Sequence, residues 1–180
     1  MVALADVCDI IIGRTPPRAD AKFWNGDKPW LSIADMGKAP IISKTKESIT
    51  EEGASLFRGR LVQPGAVLLS FKLSVGKVGI AGIPLYTNEA IAALPFKDKS
   101  RLLPEYLARF LAYTDLLSGT DRAAMGNTLN LPKLKAVPIP LPPLPEQRRV
   151  ADILDRADTL RARRRRALAH FELQRIRCFS

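Results

Sequence analysis

The apolar positions change their period several times along the chain, and each change marks an element. Val7–Gly13, VCDIIIG, is β-rich and closes on RTPPR, a proline-stiffened loop with arginine at both ends. Phe23–Ile33, FWNGDKPWLSI, offers an Asn25-Gly26 turn signal and then a short apolar strand. Residues 38–60 carry Lys, Ser, Thr and Glu with few apolar anchors and predict loops with one short helix. The β signal is clearest after that. LVQPGAVLLSF (Leu61–Phe71) reads as a Pro-Gly turn and a buried strand. KLSVGKVGIAG (Lys72–Gly82) sets glycines among valine and isoleucine, and NEAIAALPF (Asn88–Phe96) is a further strand candidate. Together they predict three adjacent strands. Pro104 then opens an amphipathic helix with Tyr106/Leu107, Phe110/Leu111 and Leu116/Leu117 at helical spacing and Gly119 as its stop.

The last period change is the largest. IPLPPLPEQRRVADILD (Ile139–Asp155) packs prolines together and runs directly into a charged, apolar-periodic stretch. Pro145 suits the first helical turn, where its missing N–H would have had no partner, and Glu146 favours the positive helix end. Nothing breaks the helix before about Arg177, which predicts roughly 33 residues and a length of about 50 Å. Its apolar stripe comprises Val150, Ile153, Leu154, Ala157, Leu160, Ala167, Leu168 and Phe171, interrupted at Arg164. So narrow a stripe on so long a helix predicts a coiled-coil partner rather than a globular core.

Charge changes the picture next. The formal net charge is +10, which makes a polyanion the first partner to consider. Residues 144–180 hold ten Arg and five acids, so the last fifth of the chain carries half the excess. Two cysteines, Cys8 and Cys178, stand at opposite ends, and His170 is the one histidine. That pattern excludes the usual zinc sites and argues against a disulfide scaffold. The N-terminal segment reads as neither signal peptide nor membrane span, so a cytoplasmic protein with no membrane partner is expected.

Candidate chemistry is that of binding. Arg14, Thr15, Arg18 and Lys22 flank Pro16-Pro17, which lowers the entropy cost of presenting a guanidinium to phosphate or a guanine edge. Ser70, Lys72, Ser74 and Lys77 surround a glycine-bearing hairpin, where small residues let backbone approach phosphate. The RARRRR run (Arg161–Arg166) points all round a helix, so it cannot face one duplex in full; solvent or subunit contact competes with DNA contact there. Trp24 and Trp30 could stack on an extruded base, but anchoring a loop or core is the simpler role. Catalysis finds little support. There is no cofactor loop, no Asn/Asp-Pro-Pro-aromatic motif, and no Ser/His/Asp set. Asp9 with Asp20–Lys22 fits a nuclease motif only loosely. No catalytic residue and no metal ligand is assigned.

IPLPPLPEQRRVADILDRAD closely resembles the segment joining a target recognition domain to its conserved helix in type I restriction–modification specificity subunits. LADVCDIIIGRTP is similar to that family's opening strand and Gly-x-Thr-Pro loop, and PWLSIADMG to its following strand. LVQPGAVLLSFKLSVGKVGIAG with TNEAIAAL resembles its central hairpin region, and GNTLNLPKLKAVPIPLPPLPEQ its exit. The likeness runs from about Leu4 to Ala169. The chain departs from it at Glu89, where the family more often has glutamine, and over His170–Ser180.

The resemblance implies a mixed α+β DNA target recognition domain, residues 1–143, with a long coiled-coil-forming helix, residues 144–180. It implies a subunit that reads one half-site of double-stranded DNA without catalytic residues of its own. It adds Asn127, Thr128, Asn130 and Lys133 to the candidate DNA contacts. It also implies partners: adenine methyltransferase subunits that carry the S-adenosylmethionine, a restriction subunit where one exists, and a second copy of this half-length chain. No cofactor is expected on this chain itself. The alternative is a non-catalytic assembly or decoy protein that holds methyltransferase subunits without reading DNA.

Overall fold

The computed structural model describes residues 1–37, 39–72, 74–117 and 129–178, the last eight of these by backbone only. In chain order the elements are β1 (Val2–Ala3), α1 (Leu4–Val7), β2 (Ile11–Ile12), β3 (Trp24–Leu31), β4 (Ile41–Ile42), β5 (Glu47–Ile49) and α2 (Glu51–Ser55). There follow β6 (Val67–Ser70), β7 (Val78–Ala81), β8 (Tyr86–Thr87), β9 (Ile91–Leu94), α3 (Pro104–Tyr113), α4 (Leu131–Ala136), β10 (Pro138–Ile139) and α5 (Leu144–Cys178).

The centre is a five-stranded sheet in the order β2-β9-β6-β7-β4. The three strands expected to be neighbours are neighbours: β6 runs antiparallel to both β7 and β9. All four residues of β6 and of β9 are buried, because both faces of the sheet are covered. Val67, Leu69, Ala92 and Leu94 face a core built with α1, α3 and α4. Leu68, Ile91 and Ala93 face a second core with Leu31, Met36, Ile42, Val62 and Leu85. Period-2 alternation between two apolar layers is why these runs read as continuously hydrophobic. A three-stranded sheet, β5-β3-β8, stands beside it over Trp30, Ile49, Ala54 and Phe57.

Two expectations change, and one element is added. Residues 38–60 contain two short strands besides the helix, since Ile41–Ile42 pairs in parallel with β7 and Glu47–Ile49 pairs with β3. The helix from Pro104 ends at Tyr113, short of the expected stop, because Thr114 is extended (φ −84, ψ 133) and bonds the Phe110 carbonyl through both N–H and hydroxyl. The Asp115 carboxylate then accepts from the Leu117 N–H at 3.0 Å, a turn that competes with a further helical step. The segment LPKLKA is a helix, α4, started by Asn130, whose side chain accepts from the Lys133 N–H at 2.9 Å.

The C-terminal helix begins at Leu144, where the proline segment predicts it, and its 35 residues reach about 52 Å. Prolines offer carbonyls but no N–H, so at these positions the backbone can only accept hydrogen bonds. The Tyr106 hydroxyl donates to the Pro140 carbonyl at 3.0 Å. Gln147, fully buried, closes the joint: its amide nitrogen donates to the Pro142 and Arg101 carbonyls at 2.9 and 2.8 Å, and its amide oxygen accepts from the Leu103 N–H at 3.0 Å. Among the described residues, no helix is long and apolar enough to cross a membrane.

Candidate nucleic-acid interface

Strand register gathers three separate segments at one end of the five-stranded sheet. Ile12 pairs with Ala92, Ser70 with Ile91, and Leu69 with Val78, so β2 and β6 leave the sheet where β7 and β9 enter it. Arg14 and Thr15 follow β2, Lys72, Ser74 and Lys77 lie between β6 and β7, and Asn88-Glu89 precedes β9. The segments are tied together. The Arg14 N–H donates to the Thr87 carbonyl at 2.8 Å, and the Phe71 N–H to the Ala90 carbonyl at 3.0 Å. The Thr15 hydroxyl donates to the Glu89 carboxylate. Glycine at 13 makes the crossing possible, because a Cβ there would overlap the carbonyl oxygens of Thr87 and Asn88.

The side chains at this end divide by role. Arg14, Lys72 and Ser74 are exposed. The Lys72 ammonium lies over the Phe71 ring at 5.3 Å, and the Lys77 amine donates to the Ile33 carbonyl at 3.2 Å. Ser70 is fully buried: it accepts from the Lys77 N–H at 2.9 Å and donates to the Ser74 carbonyl. Ser70 therefore shapes the turn and has no surface left for a ligand.

The loop after Arg14 is anchored from beneath, as the simpler reading of the tryptophans anticipates. The Trp30 indole N–H donates to the Arg14 carbonyl at 3.0 Å, and the Trp24 indole N–H to the Pro17 carbonyl at 3.1 Å. The two rings meet edge to face at 5.0 Å. The Arg18 guanidinium lies 4.0 Å from the Trp24 ring centre and pairs with Glu47. The Lys22 ammonium pairs with Asp20 at 3.2 Å and Glu52 at 3.8 Å. Arg18 and Lys22 are thus cations with acidic neighbours, and a phosphate would compete with those carboxylates for them. Glu47 and Glu52 are the residues that sequence reasoning missed here. They lie 29 and 30 positions downstream, and only the β3–β5 pairing brings that segment across.

Asn130 and Lys133 belong to α4, which packs on α1; the Asn130 amide oxygen is spent on its own helix start. Asn127 and Thr128 lie outside the described residues.

The long helix is held by a second group one face away from the prolines. Arg109, on α3, pairs with Asp155 and with Asp158, the latter at 2.6 Å. The Tyr113 hydroxyl donates to Asp158, which pushes the phenol's pKa up, and Arg161 donates to the Tyr113 oxygen at 2.9 Å. Positions 147, 151, 154, 158 and 161 form the face toward the domain, with Ala151 buried and Leu154 half-buried. Val150 packs against the domain's own core and Ala157 is half-buried, while Ile153, Leu160 and Leu168 are exposed. The stripe read from the sequence is therefore shared between the domain and open surface. The side chain of Phe171 lies outside the described residues.

The cysteine of the core is closed. Burial pushes the Cys8 thiol up to about 12, so it stays protonated and inert. Among the described residues, no group of three or more His, Cys, Asp or Glu side chains is placed to hold a metal ion. What the sheet end can do is bind: exposed cations on a rigid base, next to a hydroxyl and a carboxylate.

The model of the family described as "Type I restriction modification DNA specificity domain" matches residues 1–169. The chain is 30% identical over 163 residues to the type I restriction enzyme MjaIX specificity subunit of Methanocaldococcus jannaschii, covering 87% of this chain and 37% of that one. It is 27% identical over 157 residues to the EcoR124I/EcoR124II specificity subunit of Escherichia coli, covering 82% and 38%. Among solved structures it is similar to the HsdS subunit from Thermoanaerobacter tengcongensis, with a TM-score of 0.70, 28% identity, and coverage of 92% of this chain and 38% of that one. A structure described under complex assembly and conformational transition of the type I R-M system superimposes with a TM-score of 0.76 at 29% identity, over 96% of this chain and 41% of that one. This chain spans well under half the length of each of these relatives.

Proposed function

Because the chain belongs to the type I restriction modification DNA specificity family, we propose that it is a non-catalytic DNA-reading subunit whose sheet end meets one half-site of a duplex. The observation that carries this reading is the convergence of Arg14, Lys72 and Lys77 on one end of the sheet from segments up to about 60 residues apart in sequence. Cations on a rigid base suit phosphate positioning, and the neighbouring polar groups suit base edges. The S-adenosylmethionine and the methyl transfer belong to partner methyltransferase subunits in this reading, and any cutting to a restriction subunit.

The test is the salt dependence of duplex binding. Each lost phosphate contact lowers the slope of log affinity against log salt by about 0.9. Arg14→Ala and Lys72→Ala should each reduce the slope by about that amount, measured by fluorescence anisotropy, with thermal unfolding unchanged. Unaltered slopes in both variants would move the duplex away from this end. A chain that holds methyltransferase subunits and binds no duplex would be the assembly or decoy protein instead.

The exposed stripe of α5 supports a second part of the proposal: Ile153, Leu160 and Leu168 pack against the same helix of another copy in a coiled coil. Two recognition domains related by a two-fold axis would then read a symmetric, interrupted site. Light scattering should give a dimer that Leu160→Glu converts to monomer. A wild-type chain that is monomeric at high concentration would remove the self-paired form.

A further inference from the structure

On a surface built to meet phosphate, Glu89 is out of place by charge. It is exposed at the sheet end and lines a cleft with Arg14, Thr15, Pro17, Leu56 and Phe57. Its backbone is fixed on both sides. The Asn88 N–H donates to the Leu31 carbonyl at 3.0 Å, the Asn88 amide oxygen accepts from the Ala90 N–H at 3.1 Å, and the Ala90 carbonyl accepts from Phe71. The carboxylate itself is steadied by the Thr15 hydroxyl. Among the described residues Glu89 has no ion pair, although Arg14 lines the same cleft. So the acid is presented rather than neutralised.

A fixed carboxylate can accept hydrogen bonds but not donate them. It repels phosphate and finds no partner in the acceptor atoms of guanine (O6, N7) or thymine (O4) in the major groove. It suits the exocyclic amines, N4 of cytosine and N6 of adenine. Leaving a buried acceptor unpaired at the wrong base is what makes such a contact discriminating.

We propose that Glu89 is a specificity-determining residue whose carboxylate accepts a hydrogen bond from the exocyclic amine of one cytosine or adenine in the half-site. The assignment rests on the DNA-reading function proposed above. Thr15 acts as its positioning residue, and the Arg14 cation beside it holds the duplex in register.

The experiment selects bound sequences from a randomised duplex pool with the wild-type chain and with Glu89→Gln. The glutamine keeps the size and the acceptor for Thr15 but loses the charge and gains a donor. The wild type should require cytosine or adenine at one position; Glu89→Gln should relax a cytosine requirement about tenfold at that position alone, whereas an adenine would be kept through N6 and N7. Replacing adenine with purine, or cytosine with pyrimidin-2-one, removes only the amine; the substitution that weakens wild-type binding about tenfold identifies the base. Identical selected sequences from both proteins, with wild-type binding unchanged when either amine is removed, would overturn the proposal while leaving DNA reading intact. A wild type that binds duplex without selecting any sequence, or does not bind, would overturn the DNA-reading function and this proposal with it. Thr15→Val separates a structural role, since a Glu89 that only braces the loop would lose stability in that variant without any change in selected bases.

Discussion

Gly13→Ala is expected to lower stability by about 3 to 5 kcal/mol, near the upper end for a single substitution. The need at this position is for space. The added methyl would overlap two backbone carbonyl oxygens, of Thr87 and Asn88, and the Thr87 hydroxyl. Neither carbonyl can retreat. The Thr87 oxygen accepts from the Arg14 N–H at 2.8 Å, and the Asn88 oxygen from the Ile91 N–H at 3.2 Å. The Thr87 hydroxyl is already buried and, among the described residues, without a hydrogen-bond partner. Relief would require β2 to leave β9, which opens the core on both sides of the sheet. Since typical stabilities are about 5–15 kcal/mol, such a loss would bring the domain close to unfolding. Urea unfolding measures it: the midpoint should fall with little change in slope. A loss of less than 1 kcal/mol would mean that the crossing is more yielding than its hydrogen bonds indicate.

Gln147→Leu is expected to have the second largest effect, and on a different property. Leucine is close in volume and favours helix, so neither packing nor propensity suffers much. What disappears is every polar partner at once. The Leu103 N–H and the Arg101 and Pro142 carbonyls are left without the amide that satisfies them. Each group stranded at this part-buried joint costs about 1 kcal/mol, so the joint should weaken by about 3 kcal/mol. Water will enter to satisfy these groups, and the helix will swing from α3 while the sheet core stays formed. Hydrogen exchange at the Leu103 amide should accelerate on the order of 100-fold, with the amides of β6 and β9 unaffected. Uniform acceleration would show global destabilisation; no acceleration would show that Tyr106 and the Arg109 group hold the helix without Gln147.

How much of this was legible depends on where the partner of each residue lies. The runs at Val67–Ser70, Val78–Ala81 and Ile91–Leu94 declared themselves because each is apolar along its own length and bounded by glycine or proline. The proline segment and its helix declared themselves for the same local reason. Ile41–Ile42 and Glu47–Ile49 did not, since two or three residues carry no period and their pairing depends on strands far away in sequence. The start of α4 is readable in Asn130 and Pro132, an N-cap residue followed by proline in the first turn, although six residues are too few to show a helical period. At the candidate site, loop and hairpin segments could be named from composition, but their meeting at one sheet end follows from register alone. That Arg18 sits beside Glu47 and Lys22 beside Glu52, and that Ser70 faces inward, are tertiary facts with no local signature. Gln147 is the extreme case. In PEQRR it reads as one more solvated polar residue, yet it is fully buried.

The Gln147 joint bears on how such chains can be recombined. Drawn from the sequence, the seam for exchanging recognition domains falls at Leu144, between the prolines and the helix. Crossing over there would set Gln147 against an unfamiliar Arg101–Leu103 stretch and Asp155 and Asp158 against an unfamiliar α3. The unit that can be inherited intact runs past the visible boundary to at least Arg161, which is bonded back to the domain through Tyr113. A graft cut after that point carries its own hinge with it.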